Sequence, residues 1–218
     1  MFIKVNGARL FYEKTGAGSP LILLHGNSED HHIFDKIAGK LANRFTVYAL
    51  DSRAQGESEK TGDISYALMA EDVYSFIQEL GLGQVNIIGF SDGAIIAVLL
   101  GLKRLEVLNR VALLGLNLNP QDFTDEGREI VKSIIAKDDS PVLALMLKEP
   151  DIQLASLAEI KVPALVVAGE NDIFKPKIFP AIAKALPQAE LKIIKGHDHM
   201  SYIVDNDMLY DDFVQFFS

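Results

Sequence analysis

Short runs of aliphatic and β-branched residues alternate along this chain with stretches whose apolar positions recur at helical spacing. Phe2–Asn6 and Arg9–Tyr12 alternate in strand fashion around Asn6-Gly7, a dipeptide suited to a two-residue hairpin turn. Six later runs are apolar over nearly their whole length: Leu21–Leu24, Phe45–Leu50, Val85–Gly89, Arg110–Leu114, Ala164–Ala168 and Leu191–Ile194. Strands buried on both faces of a parallel sheet have this pattern, because neither row of side chains meets water. Helical spacing appears over His31–Ala42, Ser65–Leu80, Asp92–Leu102, Lys175–Ala185 and Asp205–Phe216. The stretch that opens at Ser65 is closed by Gly81, placed where a left-handed residue ends a helix. This alternation predicts an α/β protein with a parallel sheet covered by helices on both faces.

One stretch breaks the rhythm. Between Asn117 and Val162 there is no convincing strand, only short amphipathic pieces near Glu126–Ala136 and Pro141–Leu147, punctuated by Pro120, Pro141, Pro150 and Pro163. It is too short to bury a core of its own. We expect a single domain over residues 1–218, with a lid inserted at about 117–162 above the carboxyl edge of the sheet.

Composition acts mainly by exclusion. With 49% hydrophobic and 23% charged residues the chain has the makeup of a globular protein. No window approaches 18 uninterrupted apolar residues, and Met1–Asn6 lacks a basic stretch leading into an apolar one, so neither a membrane span nor a signal peptide is expected. The absence of cysteine removes disulfides, thiol catalysis and thiolate metal ligands, and fits a cytoplasmic location. A net charge of -9 without a basic cluster argues against nucleic acid or an anionic membrane as partner.

The chemistry concentrates at strand ends. Gly89-Phe90-Ser91-Asp92-Gly93 stands between the apolar run ending at Gly89 and the helical Ala94–Leu100. This is G-x-S-x-G in strand–turn–helix context, with glycines at both flanks to let strand and helix approach and a turn that lifts the Ser91 hydroxyl clear of the backbone. The plain alternative is a glycine-bounded turn with a capping serine.

From this point the chain resembles the α/β-hydrolase fold family, from the first hairpin to the last helix. The resemblance implies a mostly parallel eight-stranded sheet, helices on both faces and a short helical lid. Leu24-His25-Gly26-Asn27 looks like the family's His-Gly oxyanion loop, which makes the backbone N–H groups of Asn27 and Asp92 the implied oxyanion donors and His25 a structural residue. Asp51-Ser52-Arg53-Ala54-Gln55-Gly56-Glu57-Ser58 is similar to the family's D-x-R-G-x-G-x-S loop, with Ala54 replacing a frequent glycine. Asp51 and Arg53 are expected to fix that loop rather than touch substrate. Gly169-Glu170-Asn171-Asp172 matches the loop that carries the acid, and Asp172 is preferred to Glu170. The position used by some relatives after the preceding strand reads Asn117-Leu118-Asn119, with no acid until Asp122. Gly196-His197-Asp198-His199 follows the last strand, and the family spacing selects His199 over His197. Ser91, Asp172 and His199 thus stand in the family's chain order.

The reaction implied is acyl transfer from a small carboxylic ester or thioester to Ser91, without a cofactor. A serine at the elbow argues against the epoxide-hydrolase and dehalogenase branches, which place a carboxylate there. Carbon–carbon bond hydrolysis, acyl transfer to another acceptor, cofactor-free peroxidase chemistry and non-catalytic ligand binding remain open on the same fold. The short insertion suggests a fairly open site, and Glu29, Asp30 and Asp92 suggest an acidic mouth. The Gly-x-Ser-Asp-Gly elbow is similar to that of amino-acid-ester hydrolases of the valacyclovirase type. Asp92 is therefore a candidate receptor for a cationic amino group, or else simply an acid at a helix start. Gly81-Leu82-Gly83 precedes a strand instead of following one, so it is not a dinucleotide loop. His31-His32 and His197-Asp198-His199 lack a further ligand at helical spacing, so no metal is expected.

Overall fold

A computed structural model describes residues 1–218. Eight strands form one sheet: β1 (Phe2–Val5), β2 (Ala8–Thr15), β3 (Ser19–Leu24), β4 (Phe45–Leu50), β5 (Val85–Phe90), β6 (Leu108–Leu114), β7 (Ala164–Asn171) and β8 (Ala189–Asp198). Their spatial order is β1-β2-β4-β3-β5-β6-β7-β8, antiparallel at β1–β2 and β2–β4 and parallel elsewhere. The hairpin turns at Asn6 (φ 45°) and Gly7 (φ 79°), both left-handed as a two-residue primed turn requires.

The apolar strand runs are buried on both sides. Along β3, Leu21 and Leu23 enter one layer while Ile22 and Leu24 enter the other. The larger layer is closed by α2 (Tyr66–Glu79), α3 (Asp92–Lys103) and α6 (Ile178–Ala185), the smaller by α1 (Asp35–Leu41) and α7 (Tyr210–Phe217). Ser65 caps α2 by accepting from Leu68 N–H, and Gly81 follows its end at φ 61°.

Three helical expectations shorten. His31–Phe34 is a 3-10 turn, and α1 begins only at Asp35. α6 starts at Ile178 instead of Lys175, because Pro176 disfavours a helical Lys175. α7 starts at Tyr210 instead of Asp205, which holds φ 45° and so cannot open a right-handed helix. The expected insertion contains α4 (Asp125–Ile135) and α5 (Pro141–Leu145). Its last part, the 3-10 turn Leu154–Glu159, packs against α3 and α6 and buries Leu157, so it belongs to the body and not to the cover over the site.

Candidate active site

β5 ends at Phe90, and the chain reverses through Ser91 at φ 51°, ψ -113° before α3 begins. Few non-glycine residues adopt such a conformation, and it persists only where the surroundings over-determine it. Here Ser91 N–H donates to Leu114 O at 2.8 Å, tying the turn to the end of β6. The flanking glycines are required by contact: a Cβ on Gly89 would stand 2.4 Å from Gly93 O, and one on Gly93 2.1 Å from Leu24 O.

The ends of β7 and β8 bring the other two side chains to this turn. His199 Nε2 lies 3.0 Å from Ser91 Oγ, and His199 Nδ1 lies 2.9 Å from Asp172 Oδ1. An ionised carboxylate only accepts, so Nδ1 carries the proton and the Nε2 lone pair faces the serine hydroxyl. Asp172 Oδ1 also accepts from Phe174 N–H at 3.1 Å, which fixes the acid. Phe90 and Phe174 pack on the imidazole at ring-centroid distances of 5.0 and 5.3 Å. Tyr202 is fully buried and its hydroxyl has no hydrogen-bond partner; burial, with the Asp172 charge, pushes its ionisation well up. His197 is not part of this chain: its Nδ1 meets Ser201 Oγ at 3.0 Å. Glu170 accepts from Gly196 N–H at 2.8 Å, and Asp122 accepts from the Leu118 and Asn119 N–H groups. Neither acid reaches His199.

Asn27 lies in the loop after β3, and Asp92 is the first residue of α3. The Asn27 N–H makes no hydrogen bond, and the Asp92 N–H, opening a helix, has no carbonyl one turn back within it. His25 is fully buried, its Nδ1 2.7 Å from Gly26 O and its Nε2 accepting from Ser52 N–H at 3.0 Å, so it braces two loops. Asp51 likewise works inside the protein, accepting from His31 and Glu57 N–H groups. Arg53 is clamped on the buried Asp72 through Nε and Nη2.

Asp92 differs from the expectation of a cation receptor. It is 3% exposed, and both its oxygens are occupied: Oδ1 by the Tyr66 hydroxyl at 2.8 Å, Oδ2 by Asn27 Nδ2 at 2.8 Å. Burial pushes its pKa up to about 6. Asn27 Nδ2 also donates to Val142 O in α5 at 2.9 Å. The carboxylate therefore ties together the loop after β3, the start of α2 and, through Asn27, α5. Nothing in the sequence pattern marked Tyr66 or Val142 for this role.

The surroundings of Ser91 are unequal on its two sides, which corrects the expectation of an open site. Behind it, Tyr66, Asp92, Ile95, Phe123, Met146 and Glu149 help enclose about 10 Å³ of free space, roughly the need of one water. On the His199 side a groove of about 390 Å³ runs past Gly127, Ile130, Asp172 and Met200.

Glu29 stands in the loop after β3 and accepts from Gly26 N–H at 2.9 Å. Burial, with smaller contributions from Asp92 and Asp30, raises its pKa to about 7 against the favourable Gly26 N–H and His199. A carboxyl whose folded pKa lies above its unfolded one favours the folded state below the unfolded pKa and loses that advantage as pH rises. Glu29→Gln removes the titration. Between pH 4.5 and 8 the variant should gain about 2 kcal/mol on the wild type, allowing for partial solvent access. Urea unfolding at the two pH values measures it, and an equal difference at both would show that Glu29 ionises as freely in the folded chain as in the unfolded one.

A mostly parallel sheet, covered on both faces and carrying serine, acid and histidine after β5, β7 and β8, has the architecture of the alpha/beta hydrolase fold. Residues 19–140 match the family model described as alpha/beta hydrolase fold, and the chain belongs to that family. It is 34% identical to a soluble epoxide hydrolase of Corynebacterium sp. strain C12 over 51% of this chain and 40% of that protein. It is 24% identical to the AB hydrolase superfamily protein YisY of Bacillus subtilis, over 95% of this chain and 94% of that one. The first curated relatives are matched over only 40–45% of their own length. Among solved structures, a thermophilic esterase from Thermogutta terrifontis superposes with a TM-score of 0.85 at 21% identity, over 100% of this chain and 98% of that one. No helix is long and apolar enough to cross a membrane.

Proposed function

We propose that this hydrolase cleaves small carboxylic esters or thioesters through an acyl-enzyme on Ser91. The observation that carries the reading is the continuous chain Ser91–His199–Asp172, with links of 3.0 and 2.9 Å. Ser91 Oγ adds to the substrate carbonyl while its proton passes to His199 Nε2. Asp172 orients the imidazole and stabilises it as imidazolium. The developing oxyanion is held by the N–H groups of Asn27 and Asp92. The tetrahedral adduct expels the alcohol or thiol, which takes the proton from His199. Water, deprotonated by the same nitrogen, then attacks the acyl carbon, and the acid leaves as Ser91 regains its hydrogen. A serine elbow supports this reading over the chemistry named for the epoxide-hydrolase relative.

The shape of the site supports a small acyl group. About 10 Å³ behind Ser91 is the room of about one water and limits any acyl chain extending there, whereas the groove of about 390 Å³ on the His199 side suits a larger leaving group. Incubation with a fluorophosphonate probe, digestion and mass spectrometry test the mechanism without a choice of substrate. The expected adduct sits on Ser91 and is absent from Ser91→Ala. Wild-type protein that takes no label would mean that the serine is not activated, and would leave ligand binding as the better reading.

A further inference from the structure

Adjacent histidines with no third ligand at helical spacing gave no reason to expect a metal at His31-His32. Folding changes their company. β2 carries Glu13 alongside the 3-10 turn, and Glu13, Thr15, His31, His32 and Asp35 line a cleft of about 320 Å³ that shares no residue with the surroundings of Ser91.

His31 is the central observation. It is 3% exposed, and its Nδ1 lies 2.8 Å from Oδ1 of the fully buried Asp51. The carboxylate can only accept, so the proton sits on Nδ1 and the lone pair on Nε2. Metal-binding histidines are commonly held in this way, one ring nitrogen on a carboxylate and the other free. Nε2 makes no hydrogen bond. Its nearest acidic neighbour is Glu13 Oε1 at 3.8 Å, too far for a hydrogen bond. Two ligands on one tetrahedral zinc ion stand about 3.3 Å apart when each bond is about 2.0–2.1 Å. A small movement of Glu13, whose side chain is half exposed, closes the difference.

His32 repeats the arrangement. Its Nδ1 lies 3.1 Å from Asp35 Oδ2, and its ring stacks on His31 with centroids 4.1 Å apart. Asp30 completes the group: Oδ1 accepts from His32 N–H at 2.9 Å, leaving Oδ2 available. Asp30, His31 and His32 each offer a ligand atom within 4.8 Å of the others.

We propose that Glu13, Asp30, His31 and His32 bind a divalent cation of the zinc class, with Asp51 and Asp35 as the outer partners that orient the two imidazoles. Two imidazoles with two carboxylates select zinc, cobalt or nickel over magnesium and calcium, which take oxygen ligands. The bound ion joins β2 to the turn that follows the oxyanion loop. Because it binds the folded chain and not the dispersed ligands, it raises thermal stability with the logarithm of the ratio of free ion to Kd.

The test uses the full chain, stripped with chelator and dialysed. Calorimetric titration with zinc chloride should give one ion per chain and a rise in Tm, and cobalt chloride should give the visible absorption of a nitrogen- and oxygen-ligated ion. Magnesium and calcium chloride should give neither. The double variant Glu13→Gln/His32→Ala changes only exposed side chains, so it should fold normally and lose at least about tenfold in zinc affinity. His31→Gln empties a buried position and is not the deciding variant. His197→Ala, which removes the loop histidine near His199, should bind zinc as the wild type does. Failure of the wild type to bind stoichiometrically, retention of affinity in the double variant, or loss in His197→Ala alone would each overturn the proposal.

Discussion

His199→Ala is expected to lower turnover of a small acyl ester by about 10⁴- to 10⁶-fold, while His197→Ala stays near wild type. The two residues are neighbours in the sequence and strangers in the structure. His199 is 7% exposed, wedged against Phe90 and Phe174, with one nitrogen on Asp172 and the other on Ser91. His197 meets Ser201 and reaches neither partner. Removing the base leaves a serine whose hydroxyl has no route for its proton, so the loss should fall on kcat and on kcat/KM alike. The tight space behind Ser91 is retained in the variant, so ground-state binding should change little. Asp172→Asn should show the same signature with a smaller loss, about 10⁴-fold, because an amide can hold the ring in the wrong tautomer. Steady-state kinetics with a phenyl acetate and its longer-chain analogues would measure all of these. A loss in His197→Ala equal to that in His199→Ala would move the base to the other histidine and break the assignment.

The parts of this architecture that were legible in the sequence are those with a local cause. Leu21–Leu24 and Ala164–Ala168 declare buried parallel strands because a strand with no wet face has no polar position to spare. Gly89 and Gly93 declare the elbow because backbone contacts on both sides of Ser91 leave no room for a Cβ. The order serine, acid, histidine was implied by the resemblance to the family, and in the structure the three residues follow β5, β7 and β8. The parts that were not legible depend on residues far apart in the chain. Nothing near Asp92 shows that Tyr66 and Asn27 will fill both its oxygens, and nothing near His31 shows that Glu13 will lie 3.8 Å away. The expectation of an open site came from the length of the insertion. The structure instead closes one side of Ser91 with Phe123, ahead of α4, and with Met146 and Glu149, beyond α5, residues whose meeting no local pattern announces. The late start of α7 has a third kind of cause: the backbone at Asp205 is left-handed, so a right-handed helix cannot open there.

Gly93→Ala should destabilise the protein by about 3 kcal/mol or more, at the upper end of what overpacking costs. The added Cβ would stand 2.1 Å from Leu24 O, 2.6 Å from Leu24 C and 2.8 Å from Leu24 Cβ. The two nearest are main-chain atoms of β3, which is paired on both sides, to β4 and β5, and cannot swing away as a side chain would. Either α3 lifts off the sheet or the end of β3 is displaced. The second route moves His25, Gly26 and Asn27, since these follow Leu24 directly, and so disturbs the proposed oxyanion donor as well. Against a total stability of about 5–15 kcal/mol, the loss would leave a chain that is folded at low temperature and depleted at growth temperature. Gly39→Ala provides the contrast. Gly39 lies in α1, is exposed, and would meet nothing within 4 Å, so alanine there should add about 0.5–1 kcal/mol through a less flexible unfolded chain. Urea unfolding of both variants reads the two effects on one scale. A Gly93→Ala protein as stable as the wild type would mean that strand and helix do not approach as closely at the elbow as this structure requires, and the strained serine would lose its explanation.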